Sequence, residues 1–312
     1  MRNHTTVKEF VFVAFPPIYS LEIFLFILFL MVYIVIILGN FIIIFLTFYD
    51  RRLHLPMYFF LANISFLELN ISTVVIPKVL SILLSDKRSI SFAGCFVQCY
   101  MFFALGTTDF ILLAEMSYDR YVAICKPFKY VVIMNWKTCF SLSTASWVGG
   151  FLIVIVPAVI KSSLPYCKEN TINHFFCDSS PLRKLACADP ALLHIFDSFM
   201  FTVVILGSLL ITVWSYFIIT ITICRMPSVT GRHKTFSTCI SHLFLVALGY
   251  GGTMVIYIIP KGTHYLEINK RVSVITIFIT PLLSPFIFSL RNKNMQISMI
   301  NVFGKIKQKL TE

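Results

Sequence analysis

Seven long apolar segments follow one another along the chain, separated by shorter polar stretches. They cover residues 23–49, 57–84, 93–121, 141–160, 196–224, 238–259 and 272–290. The first contains 27 residues without a formal charge, and about 20 apolar residues in a helix suffice to cross a bilayer. Strands of a membrane barrel would be about 10 residues long with alternating polarity, a pattern that these segments lack. We therefore predict an all-α membrane protein: a seven-transmembrane helix bundle in one domain over residues 1–312.

Polar ends flank the bundle, which we assign to residues 23–290. Residues 1–22 form a short polar segment, and the apolar segment after it is too long for a signal peptide, so it is expected to remain as a span. In the tail, residues 291–312, one helical face is apolar, which predicts a short amphipathic helix on the membrane surface. That face is formed by Met295, Met299, Val302, Phe303, Ile306 and Leu310. Prolines within helices should kink them, here Pro77, Pro157, Pro281 and Pro285.

Composition supports a lipid environment. The chain is 58% hydrophobic and 13% charged, whereas a soluble domain carries about 25% charged residues. The formal net charge of +12 comes from residues in short loops. We interpret it as membrane-flanking charge, which does not indicate a nucleic-acid partner.

The basic residues alone orient the chain only weakly. With the N-terminus outside, 14 of the 26 lysines and arginines would lie on the inner side. A glycosylation sequon at Asn3-His4-Thr5 and the cysteines of the loop after the fourth segment both belong on the oxidising side. We therefore expect a plasma-membrane protein with an extracellular N-terminus and a cytoplasmic C-terminus.

Four cysteines should lie near the extracellular side of the membrane. Cys95 opens the third segment, and Cys167, Cys177 and Cys187 lie in the loop after the fourth. They permit two disulfides in three connectivities. A metal site would need more closely paired ligands, and the neighbouring His174 is interpreted as structural.

The third segment ends in a charged triplet, Asp119-Arg120-Tyr121. Such a pair at a membrane boundary is compatible with a simple snorkelling anchor. The surrounding string, MSYDRYVAICKP at 116–127, resembles the third-helix end of olfactory receptors, a large family of rhodopsin-like G-protein-coupled receptors. Further motifs follow the family order over nearly the whole chain: Gly39-Asn40, LPMYFFL at 55–61, KTFSTC and SHL within 234–243, PLLSP at 281–285 and SLRNK at 289–293.

This resemblance implies an odorant receptor, not an enzyme, that activates a stimulatory, olfactory-type heterotrimeric G protein and raises cyclic AMP. It pairs Cys95 with Cys177, and Cys167 with Cys187. In the resting state the acid beside Arg120 would hold the third helix, and activation would free the arginine to meet the G protein. The residues expected to take part in coupling and activation are Asp119, Arg120, Tyr121, Tyr216, His242, Ser284 and Phe288.

The end of the seventh segment departs from the family pattern. The family usually has Asn-Pro-x-x-Tyr there, and this chain has Ser284-Pro285-Phe286-Ile287-Phe288. Serine can still form hydrogen bonds, whereas phenylalanine cannot. We therefore expect less efficient signalling, which Phe288→Tyr should improve.

The resemblance also implies a ligand cavity in the outer half of the bundle. Its expected lining is Phe102, Phe103, Gly106, Thr107, Phe110, Met200, Val204, Tyr250, Thr253 and Tyr257. A mainly aromatic and apolar lining with a few hydroxyls selects shape and offers one or two hydrogen bonds. Phe102 stands where amine receptors carry an acid, so small, neutral, weakly polar volatile molecules fit best.

Three acids lie inside the segments, where an ionisable residue indicates a functional site by default. Packed as in the family, Glu68 and Asp109 would face each other and share a proton or bind an allosteric sodium ion; no other cofactor is expected. Glu115 is interpreted as a protonated acid bonded to a neighbouring helix.

Three other functions compete with odour detection. A transporter or channel would also explain seven spans and buried acids, but the inverted repeat typical of transporters is missing. A membrane-embedded enzyme could use Ser241 and His242, which lack an orienting acid. A receptor of this family that senses a metabolite outside the nose would have the same sequence features, and tissue expression would distinguish it.

Overall fold

A computed structural model of the chain describes residues 7–16, 18–85, 87–166, 170–187, 191–258 and 264–311. Its long helices are α1 (Tyr19–Tyr49), α2 (Pro56–Leu84), α3 (Phe92–Cys125), α4 (Trp136–Ser162), α5 (191–224), α6 (Val229–Ile258), α7 (265–291) and α8 (Lys293–Thr311). In these ranges six helices are long and apolar enough to cross a membrane, and α6 contributes a shorter apolar stretch, His242–Ile256. The predicted seven-helix bundle is confirmed.

Large apolar side chains are exposed along the outer faces of the bundle. On α1, Phe24, Met31 and Phe41 are each about 60% exposed. A contiguous apolar surface of this extent is typical of a face that contacts lipid. The chain is a multi-pass membrane protein, and α1 contributes mainly to its lipid-facing surface.

Local sequence signals set several helix ends. Ser91 caps α3 by accepting a hydrogen bond from the Gly94 N–H at 3.2 Å, and Asn135 caps α4 by accepting one from the Thr138 N–H at 2.9 Å. Both side chains satisfy an N–H that has no partner within its own helix. Pro56 occupies the first turn of α2, where its missing N–H costs nothing.

The four prolines that the sequence predicts to kink helices lie in α2, α4 and α7. Pro77, Pro157 and Pro285 are inside helices, as predicted. Pro281 instead lies in the first turn of the segment Thr280–Arg291, directly after a π-helical turn, Ile275–Ile279. A second π-helical segment, Phe201–Leu206, divides α5. Neither π-helical segment was predicted from the pattern of apolar residues.

A small sheet at one end of the bundle was missed by the sequence patterns. Its strands are β1 (Glu9–Phe12), β2 (Ser89–Ser91) and β3 (Thr171–Ile172), in the order β2-β1-β3. β1 pairs antiparallel with β2 and parallel with β3. Phe10 and Phe12 are buried beneath it, so the segment expected to be simply polar carries two core residues. Strands of two to four residues are too short to show a period of their own.

A disulfide lies under this sheet and defines what we call the disulfide end of the bundle. Cys95 of α3 is bonded to Cys177, with their Cα atoms 5.4 Å apart, which confirms the first pairing. Gln98 supports the bond, since its Oε1 accepts from the Cys177 N–H at 3.0 Å and its Nε2 donates to the Val74 carbonyl at 2.9 Å. Cys187 is also disulfide-bonded, but Cys167 lies outside the described residues, as does Asn3, so Cys167–Cys187 and the glycan stay predictions.

Close approach and a buried amide hold α1 against α7. The Asn40 side chain donates to the Ile36 and Pro281 carbonyls at 3.1 Å and 3.2 Å. A Cβ added to Gly39 would lie 3.0 Å from the Pro285 ring, so a side chain larger than hydrogen would separate the two helices. Small residues and interhelical hydrogen bonds are the usual means of packing helices in lipid.

The predicted tail helix α8 packs partly into the opposite end of the bundle. Met295 and Val302, two members of the predicted apolar face, are buried in the main apolar core. The side chains of Phe303, Ile306 and Leu310 lie outside the described part of the chain. The helix is therefore confirmed, and its position on a membrane surface stays a prediction.

Candidate coupling and ligand sites

At the end of α3, Asp119 and Arg120 form a polar cluster with Tyr130, which we call the Arg120 cluster. We call this end of the bundle the Arg120 end. Asp119 is fully buried. Its Oδ2 accepts from Arg120 Nη2 at 2.5 Å and from Nε at 3.1 Å, while its Oδ1 accepts from the Tyr130 hydroxyl at 2.8 Å. Both carboxylate oxygens are thus bound, which ties α3 to the short helix Tyr130–Ile133.

Tyr130 is a site residue that the sequence did not reveal. Burial, and then the neighbouring Asp119 carboxylate, raise the pKa of Tyr130 well above its usual value. The phenol therefore stays protonated and can keep donating to the acid. Tyr130 lies eleven residues beyond Asp119, in the loop after the Asp119-Arg120-Tyr121 triplet. That position is the only feature of the sequence that could have indicated its contact with Asp119.

Tyr121, the third member of the triplet, turns toward α5. It is buried, and its ring centroid lies 4.9 Å from that of Trp214. The Lys126 ammonium lies 5.3 Å from the same ring, within the range of a cation–π contact. Tyr121 therefore packs α3 against α5.

A second polar pair joins α5 to α6 near Arg120. The Tyr216 hydroxyl forms a hydrogen bond with His242 Nδ1, and both side chains are buried. The Arg120 guanidinium interacts electrostatically with both residues. The structure thus brings Arg120, Tyr216 and His242 together, and their role in coupling stays a prediction. The Ser241 side chain lies outside the described residues, and the partner described for His242 is a tyrosine.

Ser284 and Phe288 take no part in this cluster. The buried Ser284 hydroxyl lies beside Glu68, although it forms no hydrogen bond of good geometry with a described residue. Phe288 packs in the main apolar core. A different contact holds the end of α7: the Tyr58 hydroxyl of α2 donates to Asn292 Oδ1 at 2.8 Å. That oxygen also accepts from the backbone N–H groups at the start of α8. Tyr58 and Asn292 belong to two motifs noted in the sequence, but their pairing was not predicted.

Glu68 of α2 and Asp109 of α3 interact electrostatically across the interface between their helices. Glu68 is 6% exposed, and its Oε2 finds no hydrogen-bond partner among the described residues. The same holds for the Ser65, Ser72 and Ser284 hydroxyls. Oxygen atoms of this kind suit a hard cation, and no cluster of three or more His, Cys, Asp or Glu side chains occurs in the described ranges.

Glu115 is bonded to a neighbouring helix, as predicted. Ser146 of α4 donates its hydroxyl to Glu115 Oε1 at 2.5 Å. Nearby, Asn63 Oδ1 of α2 accepts from Ser143 and Trp147 of α4 at 2.8 Å and 3.1 Å. These hydrogen bonds hold α4 against α2 and α3. Few other residues of α4 are buried.

The expected ligand residues fall into separate groups. Between α3 and α6, the Phe110 and Tyr250 rings lie 5.0 Å apart, and the Tyr250 hydroxyl donates to the Phe110 carbonyl at 3.3 Å. Thr253 lies one turn further along α6, bonded to the Gly249 carbonyl. A Cβ added to Gly106 would meet no atom within 4 Å, so this part of α3 borders open space.

On α5, Val204 is buried and Met200 is half-buried, at the π-helical segment that contacts α3. Thr107 of α3 is also buried. A cavity shared by these residues and the Phe110–Tyr250 pair stays a prediction. The Tyr257 side chain lies outside the described residues.

Phe102 and Phe103 point elsewhere. The Phe102 ring packs against Phe176 of the disulfide loop, with centroids 4.6 Å apart. Phe103 instead lines a recess between α3 and α4, together with Phe96, Cys99, Tyr100, Val154, Ala158 and Lys161. Adjacent helical residues point about 100° apart, so the two rings, whose centroids lie 5.5 Å apart, face different neighbours. The sequence had not singled out Lys161, because nothing in its local pattern shows that the recess exists.

Comparison with known proteins places these features in a family context. A family model described as olfactory receptor matches residues 29–306. Olfactory receptor 6J1 of Homo sapiens is 45% identical over 308 residues, which cover 98% of this chain and 89% of the relative. Olfactory receptor 6T1 of Homo sapiens is 46% identical over 302 residues, covering 97% and 94%. Olfactory receptor 6E1 of Mus musculus is 43% identical over 297 residues, covering 95% of each chain.

Proposed function

Because the chain belongs to the olfactory receptor family, we propose that it is an odorant receptor that activates a stimulatory heterotrimeric G protein and raises cyclic AMP. The observation that carries the coupling step is the closed cluster at the Arg120 end. There Asp119 holds Arg120 at 2.5 Å, beside the Tyr216–His242 pair. Arg120 is thus a buried cation restrained by one acid, and release of that acid makes it available to a partner.

We place the disulfide end outside the cell and the Arg120 end in the cytoplasm, at the plasma membrane. Disulfides form in oxidising compartments, and the bonded Cys177 and Cys187 both lie in the loop after α4. The C-terminal helix α8 adjoins the Arg120 end through the Tyr58–Asn292 contact. This arrangement would place the coupling cluster on the side of the G protein and the disulfide end on the side that odorants reach.

The ligand shifts an equilibrium between resting and active states. It does so only if it binds the active state more tightly. Small, mostly apolar volatile molecules would bind between α3, α5 and α6, beside Gly106, Phe110 and Tyr250. In the active state, separation of α5 and α6 from α3 would open the face around Arg120.

An allosteric sodium ion would be held by the Glu68 and Asp109 carboxylates, with Ser284 as a neighbouring oxygen donor. It would supply a positive charge to two acids in a low-dielectric interior. Replacing potassium by sodium should raise the melting temperature of the purified receptor, and Glu68→Gln should abolish that rise. An equal sodium effect in wild type and Glu68→Gln would remove Glu68 from the site.

The coupling proposal is tested by a cyclic AMP assay in cells that express the full chain, challenged with an odorant panel. Active odorants should raise cyclic AMP in wild type. Arg120→Ala should abolish the response at equal surface expression, while Arg52→Ala, which removes an exposed arginine paired with Asp50, should retain it. A full response from Arg120→Ala would refute the role assigned to this cluster.

A further inference from the structure

Three exposed apolar side chains lie in the segment that joins α3 to α4 at the Arg120 end. Phe128 is fully exposed, and Val131 and Val132 are 79% and 75% exposed. They belong to a turn and a short helix within residues 127–133, and we call these three residues the Phe128 patch. Large apolar side chains that are exposed close together usually mark a contact with a partner or a membrane.

The Phe128 patch continues the lipid-facing surface of the bundle. Trp136 and Phe140, in the first turns of α4, are about half-exposed. Their ring centroids lie 5.9 Å and 4.8 Å from that of Phe59 on α2. Tryptophan is enriched where a membrane meets water, and Val148 and Leu152 are exposed further along α4. An apolar surface therefore extends from the lipid-facing side of α4 to the Phe128 patch.

Two lysines border the patch. Lys129 and Lys137 are exposed, and no ion pair among the described residues includes either of them. Anionic lipids of the cytoplasmic leaflet attract lysines that lie near the membrane surface. Exposed apolar side chains beside free positive charge, at the level of an interfacial tryptophan, are typical of a segment that inserts into the surface of an anionic membrane.

We propose that the Phe128 patch is a membrane anchor. Its three side chains insert into the inner leaflet beside α4, and Lys129 and Lys137 bind the headgroups of anionic lipids. The inference rests on the proposed function, which places the Arg120 end in the cytoplasm.

The anchor also acts on the Arg120 cluster. Tyr130 lies in the same short helix as Val131 and Val132, and its hydroxyl donates to Asp119 at 2.8 Å. Insertion of the patch therefore fixes the position of Tyr130 relative to the bilayer. Anionic lipids thus stabilise the resting state through this hydrogen bond.

Insertion is measured on the purified full-length receptor in nanodiscs, by quenching of tryptophan fluorescence with brominated phosphatidylcholine. Phe128→Trp places a reporter in the patch, and Pro227→Trp places one at an exposed position in the loop between α5 and α6. The fluorescence of wild type, which has three tryptophans, is subtracted. The brominated acyl chains should quench the reporter of Phe128→Trp and leave that of Pro227→Trp nearly unchanged. Equal quenching of the two reporters would overturn the proposal.

The role of the lysines is tested by adding phosphatidylserine to the same nanodiscs. It should increase the quenching of the Phe128→Trp reporter. Combining Lys129→Gln and Lys137→Gln with this reporter should lower the ratio of inserted to free segment about fivefold for each lysine and remove the dependence on phosphatidylserine. Arg52→Gln removes an exposed arginine at the same end, paired with Asp50 at 2.7 Å, and should retain that dependence. A phosphatidylserine effect that persists without the two lysines would overturn their role.

Cyclic AMP assays at equal surface expression separate the anchor from a contact with the G protein. Phe128→Ser should raise ligand-independent cyclic AMP, because a helix that is no longer anchored restrains Asp119 less. Loss of the ligand-stimulated response in Phe128→Ser, together with equal quenching of the two reporters, would overturn the anchor and assign the patch to the G protein. Selective quenching of Phe128→Trp in a receptor that gives no cyclic AMP response to any odorant would refute the proposed signalling and leave the anchor intact.

Discussion

Removal of the Tyr130 hydroxyl should make the receptor more active without a ligand. Tyr130→Phe deletes the 2.8 Å hydrogen bond to Asp119 Oδ1 and changes the side chain by one atom. The acid is fully buried, so among the described residues this oxygen loses a partner that water cannot replace. Arg120 keeps its bonds to the other oxygen, which makes the perturbation a partial loosening of the cluster.

The size of the effect follows from the strength of the bond. A hydrogen bond to a charged group contributes about 1.5–3 kcal/mol. Because Arg120 remains paired, we take the lower limit, which corresponds to about a tenfold change in the ratio of active to resting receptor. A receptor with roughly 1% of its population active would then have about 10% active.

The assay is ligand-independent cyclic AMP, normalised to receptor at the cell surface. Tyr33→Phe is the matched control, because it removes a hydroxyl that donates to Thr73 Oγ1 at 3.1 Å and is not part of the Arg120 cluster. It should leave the basal signal unchanged. A basal signal from Tyr130→Phe equal to or below that of wild type, at equal surface expression, would show that the bond does not restrain the resting state.

Three other substitutions test the packing, the end of α7 and the disulfide loop. Gly150→Ala should lower the melting temperature, since a Cβ there would lie 3.0 Å from the Thr108 backbone nitrogen, whereas Gly149→Ala, with nothing within 4 Å, should not; equal values would contradict this contact. Phe288→Tyr should raise ligand-stimulated cyclic AMP at equal surface expression, and an unchanged or lower response would refute its role. Burial lowers the pKa of His174 from 6.5 to about 4, so the neutral buried imidazole stabilises the fold fully above pH 6.5, and this contribution declines as the pH falls toward 4. His174→Phe should therefore make the melting temperature depend less on pH between 6.5 and 4. An unchanged dependence of the melting temperature on pH would contradict the assignment.

The sequence predicted those features that depend on a period or a motif. Seven apolar segments are long enough to define helices by themselves, and the motif at Asp119 and Arg120 identified the Arg120 end. Features made by chain segments far apart could not be read in this way. Phe10 becomes a core residue only when β1 pairs with β2 and β3, and Lys161 becomes notable only when α3 and α4 enclose a recess.

The ligand residues show the same limit at the scale of one helix. A resemblance can assign Phe102 and Phe103 to a cavity, but their directions depend on how α3 is rotated in the bundle. In the structure Phe102 meets the disulfide loop and Phe103 meets the recess beside Lys161. Helix rotation is determined by interhelical contacts such as that between Gly150 and Thr108, which a pattern of apolar residues does not encode.

The altered end of α7 can be understood from the contacts that surround it. Phe288 is buried in the apolar core, and the buried Ser284 hydroxyl lies close enough to Glu68 of α2 to interact with its carboxyl group. The Tyr58–Asn292 bond supplies a polar link one turn further on, between α2 and the junction of α7 with α8. Among the described residues, this hydrogen bond and apolar packing hold the end of α7 against α2. The end of α7 therefore has a polar restraint at its junction with α8 although Phe288 carries no hydroxyl, and Tyr58 supplies it.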